Sequence, residues 1–348
     1  MKVLVTGHRG YIGVEMVPAL RALGHEVVGL DTGFYDACDF DRPPDEIPEL
    51  RVDLRDVTAA HLRGFDAVAH MAALSNDPLG DLNPSITYDI NLHASVRLAR
   101  AAKEAGVKRF LFSSSCSLYG AGGDGYLDEN AAFNPVTAYG ESKVRVEQEV
   151  SKMATTTADG AFTPVYLRNA TAYGVSRRLR ADIVVNNLVG HAITTGKVLL
   201  QSDGTPWRPL VHIGDIIHAF ACCLAAPVEA IHNQAFNVGR QAENFRIRQV
   251  AEMVAEVVPG SEVSFAAGAS PDLRNYRVDF RKIETKLPGY APTWTLRKGI
   301  EELYEAYKHH GMTKEEWQGP RYYRLKTIKG LQDNGVLDRD LRRKASAP

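Results

Sequence analysis

Short apolar runs alternate with longer segments whose apolar residues recur at helical spacing along the first 170 residues. The apolar runs predict strands at residues 2–6, 26–30, 50–53, 67–70, 109–113 and 164–167, and the periodic segments predict helices at residues 11–23, 91–105 and 137–153. Val3, Leu4 and Val5 follow one another without a polar residue, which is typical of a strand buried on both faces. Strands that alternate with helices in this way predict an α/β fold with a doubly wound parallel sheet.

The pattern changes after residue 174. Helical periodicity marks residues 183–194, 247–258 and 296–310, and shorter apolar runs predict strands at residues 197–201 and 235–239. These elements predict a second, smaller α/β domain at residues 171–207 and 241–348. We expect the chain to return to the first domain, residues 1–170, at about 208–240, and the charged tail after residue 313 to add helices or wrap the surface.

The composition is that of an ordinary globular protein, with 45% hydrophobic and 24% charged residues over 348 positions. Because 41 basic residues nearly balance 42 acidic ones, we expect neither nucleic acid nor an anionic membrane as the main partner. No stretch approaches the roughly 18 apolar residues of a membrane span, and no signal segment is visible. The four cysteines have neither zinc nor redox spacing, and His70 and His212 lack partners at ligand spacing, so we expect no metal and a cytoplasmic location.

A glycine-rich loop follows the first predicted strand and opens the first predicted helix. Gly7, Gly10 and Gly13 have the spacing of the dinucleotide fingerprint, in which backbone N–H groups approach a pyrophosphate at a helix N-terminus. Asp31 ends the second predicted strand, where a carboxylate can bind ribose hydroxyls and repel a 2′-phosphate. Asp53 ends the third, where it could meet the adenine amino group. The first domain is therefore predicted to be a Rossmann-type domain that binds NAD rather than NADP.

A second motif places a tyrosine and a lysine one helical turn apart. Tyr139 and Lys143 share one helix face, and a lysine ammonium beside a tyrosine favours the phenolate form. Such a tyrosine can exchange a proton with a sugar or alcohol oxygen. The serines at 113–115 end a predicted strand, at the sheet edge where ligands bind in open α/β folds.

Together these motifs resemble the extended short-chain dehydrogenase/reductase superfamily and, within it, the NAD-dependent nucleotide-sugar epimerase/dehydratase family. The likeness covers roughly residues 1–310, includes residues 70–73, 168–174 and 208–215, and in motif points to UDP-glucose 4-epimerase-like enzymes. It implies that Tyr139 is the acid/base, that Lys143 tunes it and anchors NAD, and that Ser115 holds the substrate oxygen.

The resemblance also implies binding residues. For the cofactor these are Gly7, Gly10, Tyr11, Ile12, Gly13, Asp31, Asp53, Leu54, Ala72, Ala73, Asn91, Ser113, Tyr139 and Lys143. For the nucleotide-diphosphate sugar they are Ser75, Asn76, Ser115, Cys116, Thr171, Asn187, Arg208 and Arg274, with Asn187 and Arg208 on the diphosphate. It further implies a homodimer through helices 91–105 and 137–153, which carry Leu98, Val144 and Val150.

Several positions depart from the family pattern. In the 4,6-dehydratases an Asp-Glu pair follows the serine position and performs elimination, and the decarboxylases also need the glutamate; here Cys116 and Ser117 occupy these places. Thr171 replaces the usual asparagine, and the second phosphate-binding arginine falls on Ala269, so that Arg274 would take its role.

The remaining chemistry is hydride transfer at one sugar carbon. We therefore predict a nucleotide-sugar epimerase that inverts C4 by transient oxidation to a keto-sugar and re-reduction on the opposite face. The alternatives are a keto-nucleotide-sugar reductase that uses NAD(P)H, epimerisation at another carbon, a 4,6-dehydratase, and a non-catalytic dinucleotide-sensing protein. The basic residues 177–180 are either a solvated face or the rim of a phosphate site.

Overall fold

The computed structural model describes residues 1–75, 83–157, 160–266 and 275–344, without the side chains of residues 123 and 124. The described strands are β1 (Lys2–Thr6), β2 (Glu26–Leu30), β3 (Glu49–Leu50), β4 (Ala67–His70), β5 (Arg109–Ser115), β6 (Ala121–Leu127), β7 (Thr163–Asn169), β8 (Thr171–Tyr173), β9 (Lys197–Leu200), β10 (Trp207–His212), β11 (Gln234–Val238), β12 (Asn244–Arg246), β13 (Glu262–Phe265) and β14 (Asn275–Val278). The described α-helices are α1 (Gly13–Ala22), α2 (Pro84–Thr87), α3 (Ala94–Glu104), α4 (Ala138–Ser151), α5 (Val184–Thr195), α6 (Ile213–Ala225), α7 (Val228–Ile231), α8 (Ile247–Val257), α9 (Arg281–Lys286), α10 (Leu296–His310), α11 (Lys314–Gln318) and α12 (Arg324–Asp333).

A parallel sheet of seven strands organises the fold, in the order β11-β7-β5-β4-β1-β2-β3. Its two faces bury opposite sides of the same strands, because successive strand residues point in opposite directions. Val3 packs with Met16 of α1 and Ile216 of α6 on one face, and Leu4 packs with Val146 of α4 on the other. Helices on both faces of a parallel sheet confirm the predicted doubly wound α/β fold.

Most predicted strands match the structure, but the third is shorter. Residues 2–6, 26–30 and 67–70 are strands with the predicted bounds. In the third, only Glu49–Leu50 pairs with β2, and the chain then enters a 3₁₀ turn at Leu54–Asp56. Asp53 begins that turn, since its Oδ1 accepts a hydrogen bond from the Arg55 backbone N–H at 2.9 Å. An aspartate that binds the backbone two residues on favours a turn over a strand.

The predicted helix starts at residues 91 and 137 compare differently with the structure. The predicted helix at 91–105 begins earlier, with α2 and a π-helical segment at Tyr88–His93 that leads into α3. Helix α4 begins as predicted, because the Oγ1 of Thr137 accepts a hydrogen bond from the Gly140 backbone N–H at 3.1 Å.

The apolar residues expected to form a dimer interface are instead inside the protomer. Leu98, Val144 and Val150 are each at most 7% exposed and belong to the apolar clusters beneath the sheet. They offer little surface to a second chain, so a dimer would have to form through other residues of these helices. Within the described residues, none of the helices combines the length and apolar character needed to cross a membrane.

A separate apolar cluster is built mainly from α5, α8 and α10. The start of the charged tail packs into it, since Trp317 of α11 and Tyr322 are fully buried there. Gly190 of α5 makes room for Trp317, because a Cβ at this glycine would lie 2.1 Å from the indole ring. The tail thus begins on this cluster before it turns towards the seven-stranded sheet.

The end of the tail packs against loops at the carboxyl edge of the sheet. Ile328, Leu337 and Leu341 form an apolar cluster with Leu74 and Ile90, which lie after β4 and before α3. Arg343 donates hydrogen bonds to the carbonyl oxygens of residues 32 and 33, just after β2, at 2.9 Å each. The tail therefore connects the loop after β2 with the loop after β4.

Candidate functional site

A cleft of about 810 Å³ opens at the carboxyl edge of the parallel sheet. Most of the residues predicted from the sequence line it, namely Gly7, Gly10, Tyr11, Ile12, Gly13, Asp31, Asp53, Leu54, Ala72, Ala73, Ser75, Ser113, Ser115, Tyr139, Lys143, Thr171, Asn187 and Arg208. Asn76 and Arg274 lie outside the described residues.

The glycine loop after β1 is packed too tightly for side chains. Gly7 has a φ of +74°, and a Cβ there would lie 2.8 Å from the backbone nitrogen of Ala72. A Cβ at Gly13 would lie 2.2 Å from the carbonyl oxygen of Gly7. The loop therefore lies directly against the loop after β4 and on the start of α1. Backbone N–H groups at a helix N-terminus bind phosphate, so this cradle fits the pyrophosphate of a dinucleotide.

Asp31 is held at the end of β2 by two backbone groups. Its Oδ2 accepts from the Arg9 backbone N–H at 3.1 Å, and its Oδ1 accepts from the Gly33 N–H at 2.8 Å. A carboxylate has about four acceptor positions, so two remain for ribose hydroxyls. The arrangement fits the adenosine ribose of a dinucleotide without a 2′-phosphate.

Arg9, which the sequence motifs did not indicate, also affects the choice between NAD and NADP. Its guanidinium donates to both carboxylate oxygens of Glu49, at 2.7 and 2.8 Å, and to Asp36 at 3.3 Å. The bond from Arg9 is the main cause that lowers the pKa of the Glu49 carboxyl to about 2. Because this arginine is already paired, it is not available to bind a 2′-phosphate beside Asp31.

The carboxylate of Asp53 is also engaged within the protein. Besides the backbone bond, it accepts from Arg55 Nε at 2.9 Å and Nη2 at 2.7 Å. Asp53 lines the cleft, but its adenine contact stays a prediction.

Helix α4 presents Tyr139 and Lys143 to the end of β5. The Nζ of Lys143 donates to the carbonyl oxygen of Ser113 at 2.7 Å and lies 5.5 Å from the centre of the Tyr139 ring. The lysine is only 3% exposed, and burial lowers its pKa to about 7, with the Glu147 charge acting in the opposite direction. Tyrosine and lysine are thus brought together as the motif predicts.

The serine run ends where the strand becomes a 3₁₀ turn. The Oγ of Ser115 donates to the Oγ of Ser117 at 2.9 Å and accepts from the Ser117 backbone N–H at 3.1 Å. Ser113 accepts from the Nδ2 of Asn169 at 3.0 Å. The Oδ1 of Asn169 is buried without a hydrogen-bond partner among the described residues, and Asn169 lines the cleft, so it offers a ligand an acceptor that the motifs did not indicate.

A buried ion pair holds Tyr139, Lys143 and Ser115 in position relative to one another. Arg168 of β7 donates from Nη2 and Nε to the carboxylate of Glu147 in α4, the shorter bond being 2.7 Å. Ser114 of β5 donates to the same carboxylate at 2.5 Å. These bonds fix α4 to β5 and β7, and therefore fix Tyr139 and Lys143 relative to Ser115.

Arg208 and Asn187 line the part of the cleft nearer β9 and β10. Arg208 is buried, and its Nη1 donates to the carbonyl oxygen of Trp207 at 2.9 Å. Asn187 donates from Nδ2 to the carbonyl oxygen of Ala181 at 2.8 Å and to the hydroxyl of Tyr323 at 3.3 Å. Leu200, Ile247 and Tyr276 add apolar surface to the cleft.

Two predicted binding residues do not line the cleft. Cys116 is buried and donates from Sγ to the carbonyl oxygen of Arg168 at 3.1 Å, so it is not placed to contact substrate. Burial also raises the pKa of its thiol. Asn91 is buried and bonds the backbone N–H and carbonyl of Leu74, at 2.8 and 3.0 Å. It therefore positions the loop after β4 instead of touching the cofactor.

The basic stretch at 177–180 is not a solvated face. Its three arginines are each at most 8% exposed. Arg177 pairs with Glu15 and Arg178 pairs with Asp39, whereas Arg180 lines the cleft. The two histidines considered as ligands are packed in the interior: His70 binds Thr6 and Ser95, and His212 stacks on Trp294 at 3.7 Å.

The chain is similar to several known proteins in sequence and in structure. The model of the NAD dependent epimerase/dehydratase family matches residues 3–239. The chain is 28% identical to a UDP-glucose 4-epimerase of Corynebacterium glutamicum over 74% of this chain and 80% of that protein, and 25% identical to a UDP-glucuronic acid decarboxylase of Arabidopsis thaliana over 92% and 72%. Among solved structures it is similar to MoeE5 in complex with UDP-glucuronic acid and NAD, with a TM-score of 0.77, 27% identity and coverage of 89% and 99%.

Proposed function

Because the chain belongs to the NAD dependent epimerase/dehydratase family, we propose that it is a nucleotide-sugar epimerase that keeps NAD bound and inverts C4 of the sugar. The observation that carries the proposal is the set of groups around Tyr139. The tyrosine, Lys143 and Ser115 line one cleft, and the positions next to the serine carry no acid. The resemblance to a UDP-glucose 4-epimerase supports the same reaction.

The carboxylates of the cleft form hydrogen bonds with other groups of the protein. Of the described lining residues, the acids are Asp31, Asp53 and Asp182. Asp31 follows β2, Asp53 begins the 3₁₀ turn after β3, and Asp182 accepts from the Nε of Arg180 at 2.8 Å. Elimination of water would need an acid and a base beside Tyr139, and by the family resemblance the decarboxylases also use a glutamate after the serine. The cleft instead favours reversible oxidation without elimination.

The proposed reaction combines hydride transfer by the cofactor with binding and proton transfer by side chains of the protein. When bound, NAD supplies reversible hydride transfer. The glycine loop, Asp31, Ala72 and Ala73 would hold it, while Lys143 would hold its ribose. The phenolic oxygen of Tyr139 takes the proton from the C4 hydroxyl and returns it after the sugar has turned over.

Neighbouring side chains make this proton transfer possible. An ammonium on Lys143 stabilises the phenolate of Tyr139, and burial makes that interaction stronger than it would be in water. Ser115 exchanges its bond with Ser117 for one to the substrate oxygen. Arg208 and Asn187 hold the diphosphate, so that the keto-sugar can rotate while the nucleotide stays in place.

The test is to denature the purified protein, quantify released NAD, and follow the absorbance of reduced nicotinamide when nucleotide sugars are added to the native enzyme. The proposal predicts near-stoichiometric NAD and a transient absorbance with no net consumption of cofactor. Loss of the cofactor on dialysis, together with net oxidation of added NADH or NADPH, would identify a keto-sugar reductase instead.

A homodimer remains part of the proposal, through other residues than those first expected. The outer faces of α3 and α4 carry the exposed charges Arg97, Arg100, Glu141 and Arg145. Opposite charges on these faces can pair between two copies. Light scattering at micromolar concentration should give the mass of two chains, and a strictly monomeric mass would contradict the dimer.

A further inference from the structure

Arg324, in the C-terminal tail, is a buried cation that forms no ion pair with a carboxylate among the described residues. It begins α12, lines the cleft and is only 3% exposed. Its Nη2 donates to the carbonyl oxygen of Arg178 at 2.8 Å, and its guanidinium lies 4.1 Å from the centre of the Tyr35 ring. Its Nη1 is buried without a hydrogen-bond partner among the described residues.

An unpaired buried charge is costly, and a guanidinium keeps its proton at any ordinary pH. Arg180, the other buried arginine in this part of the cleft, has a partner: it pairs with Asp182 and donates from Nη1 to Ser75 at 3.2 Å. Asp182 also acts on Arg324, but it accepts its hydrogen bond from Arg180, so the two arginines share one carboxylate and one positive charge is left over. A cation of this kind in a cleft indicates an anionic ligand.

The position of Arg324 relates it to the glycine loop. The segment at 174–180, to which it bonds, is fastened to Tyr11: the Tyr11 hydroxyl donates to the carbonyl of Gly174 at 2.7 Å, and Ser176 donates to the carbonyl of Tyr11 at 2.6 Å. Tyr11 follows Gly10 at the start of α1. Arg324 is therefore joined through this segment to the glycine loop, whose shape fits a pyrophosphate.

We propose that Arg324 is a cofactor-binding residue that contacts the pyrophosphate of the bound dinucleotide, and that the tail at residues 320–344 covers this ligand. The inference rests on the proposed use of NAD. It adds a contact from outside the first 310 residues, to which the family resemblance extends.

The contacts of the tail support its role as a cover. It bonds to residues 32 and 33 after β2, and it packs on Leu74 and Ile90 beside the loop after β4. Arg55, next to Asp53, also donates to the carbonyl oxygen of Asp340 at 2.8 Å. Because these loops line the two sides of the dinucleotide half of the cleft, a bound dinucleotide would leave slowly, only when the tail detaches.

A second source of the same chemistry is the diphosphate of the nucleotide sugar. Tyr323 precedes Arg324 and bonds to Asn187, which we assign to that diphosphate. The test therefore uses both ligands. NAD and UDP are titrated separately by calorimetry into cofactor-stripped wild type, Arg324→Gln and the control Arg339→Gln, whose side chain in the same tail is 93% exposed.

The proposal predicts that Arg324→Gln weakens NAD binding about 10- to 100-fold, as expected for loss of a charged hydrogen bond, and speeds its dissociation. UDP binding should change less than about threefold, and Arg339→Gln should behave as wild type. Without ligand, Arg324→Gln should unfold at the same temperature as wild type or higher, since an uncompensated charge is gone.

Three results would overturn the inference. Unchanged NAD binding would show that Arg324 does not contact the dinucleotide. Weakened UDP binding with unchanged NAD binding would assign the arginine to the nucleotide sugar. A lower unfolding temperature without ligand, with no loss of NAD affinity, would make it a packing residue. Failure of the wild type itself to bind NAD would instead refute the proposed function.

Discussion

Lys143 gives the sharpest pH-dependent prediction. Burial lowers its pKa to about 7 in the folded protein, whereas an unfolded chain keeps the ordinary value of about 10.4. Between these values the unfolded state binds one more proton than the folded state, so this lysine makes stability rise as pH rises. The slope is at most about 1.4 kcal/mol per pH unit, and below pH 7 the contribution levels off.

The assay is denaturant unfolding of the cofactor-free protein between pH 7 and 10, for wild type and Lys143→Met. The unfolding free energy of wild type minus that of the variant should increase by about 1 kcal/mol or more per pH unit as pH rises, because the methionine variant lacks the titrating group. Lys152→Met, at the exposed end of the same helix, is the matched control and should show no such slope. A difference that stays constant over this range would show that Lys143 remains charged in the folded protein.

Three further predictions concern the cofactor, the proton transfer and the fold. Asp31→Ala should weaken NAD and relax discrimination against NADP in binding titrations; a wild type that prefers NADP would contradict the assignment. Tyr139→Phe should slow turnover about 10²- to 10⁴-fold while UDP binding, measured by calorimetry, is retained; full turnover would exclude this tyrosine as the proton carrier. Thr137→Ala should cost about 1 kcal/mol of unfolding free energy through loss of the α4 cap, and an unchanged value would show that the cap is dispensable.

Local sequence patterns were sufficient to predict an element where a single interaction determines its structure. The apolar run at 2–6 predicted its strand because both faces are buried, and the tyrosine–lysine spacing predicted their common helix face. The end of the third strand was missed because Asp53 bonds its own backbone and turns the chain. Cys116 was misplaced because the strand ends beside it in a 3₁₀ turn, which directs the thiol towards Arg168.

Contacts between distant parts of the chain could not be predicted from spacing. The pairing of Arg9 with Glu49 joins the glycine loop to β3, and the approach of Arg324 to Tyr35 depends on how the whole tail folds back. For the same reason, the sequence could not decide whether the basic stretch at 177–180 is a solvated face or the rim of a phosphate site. The acidic partners of Arg177 and Arg178 are Glu15 and Asp39, which lie far away in sequence and are brought near only by the fold.

The proposed enzyme inverts C4 by oxidation and re-reduction with a cofactor that stays bound throughout. Its most direct test incubates the purified enzyme with UDP-linked and dTDP-linked hexoses in deuterated water and analyses the products by NMR spectroscopy. We expect inversion at C4 with ordinary hydrogen retained on that carbon, because the hydride returns from the bound cofactor. Deuterium on C4, or net reduction of the sugar without inversion, would contradict it.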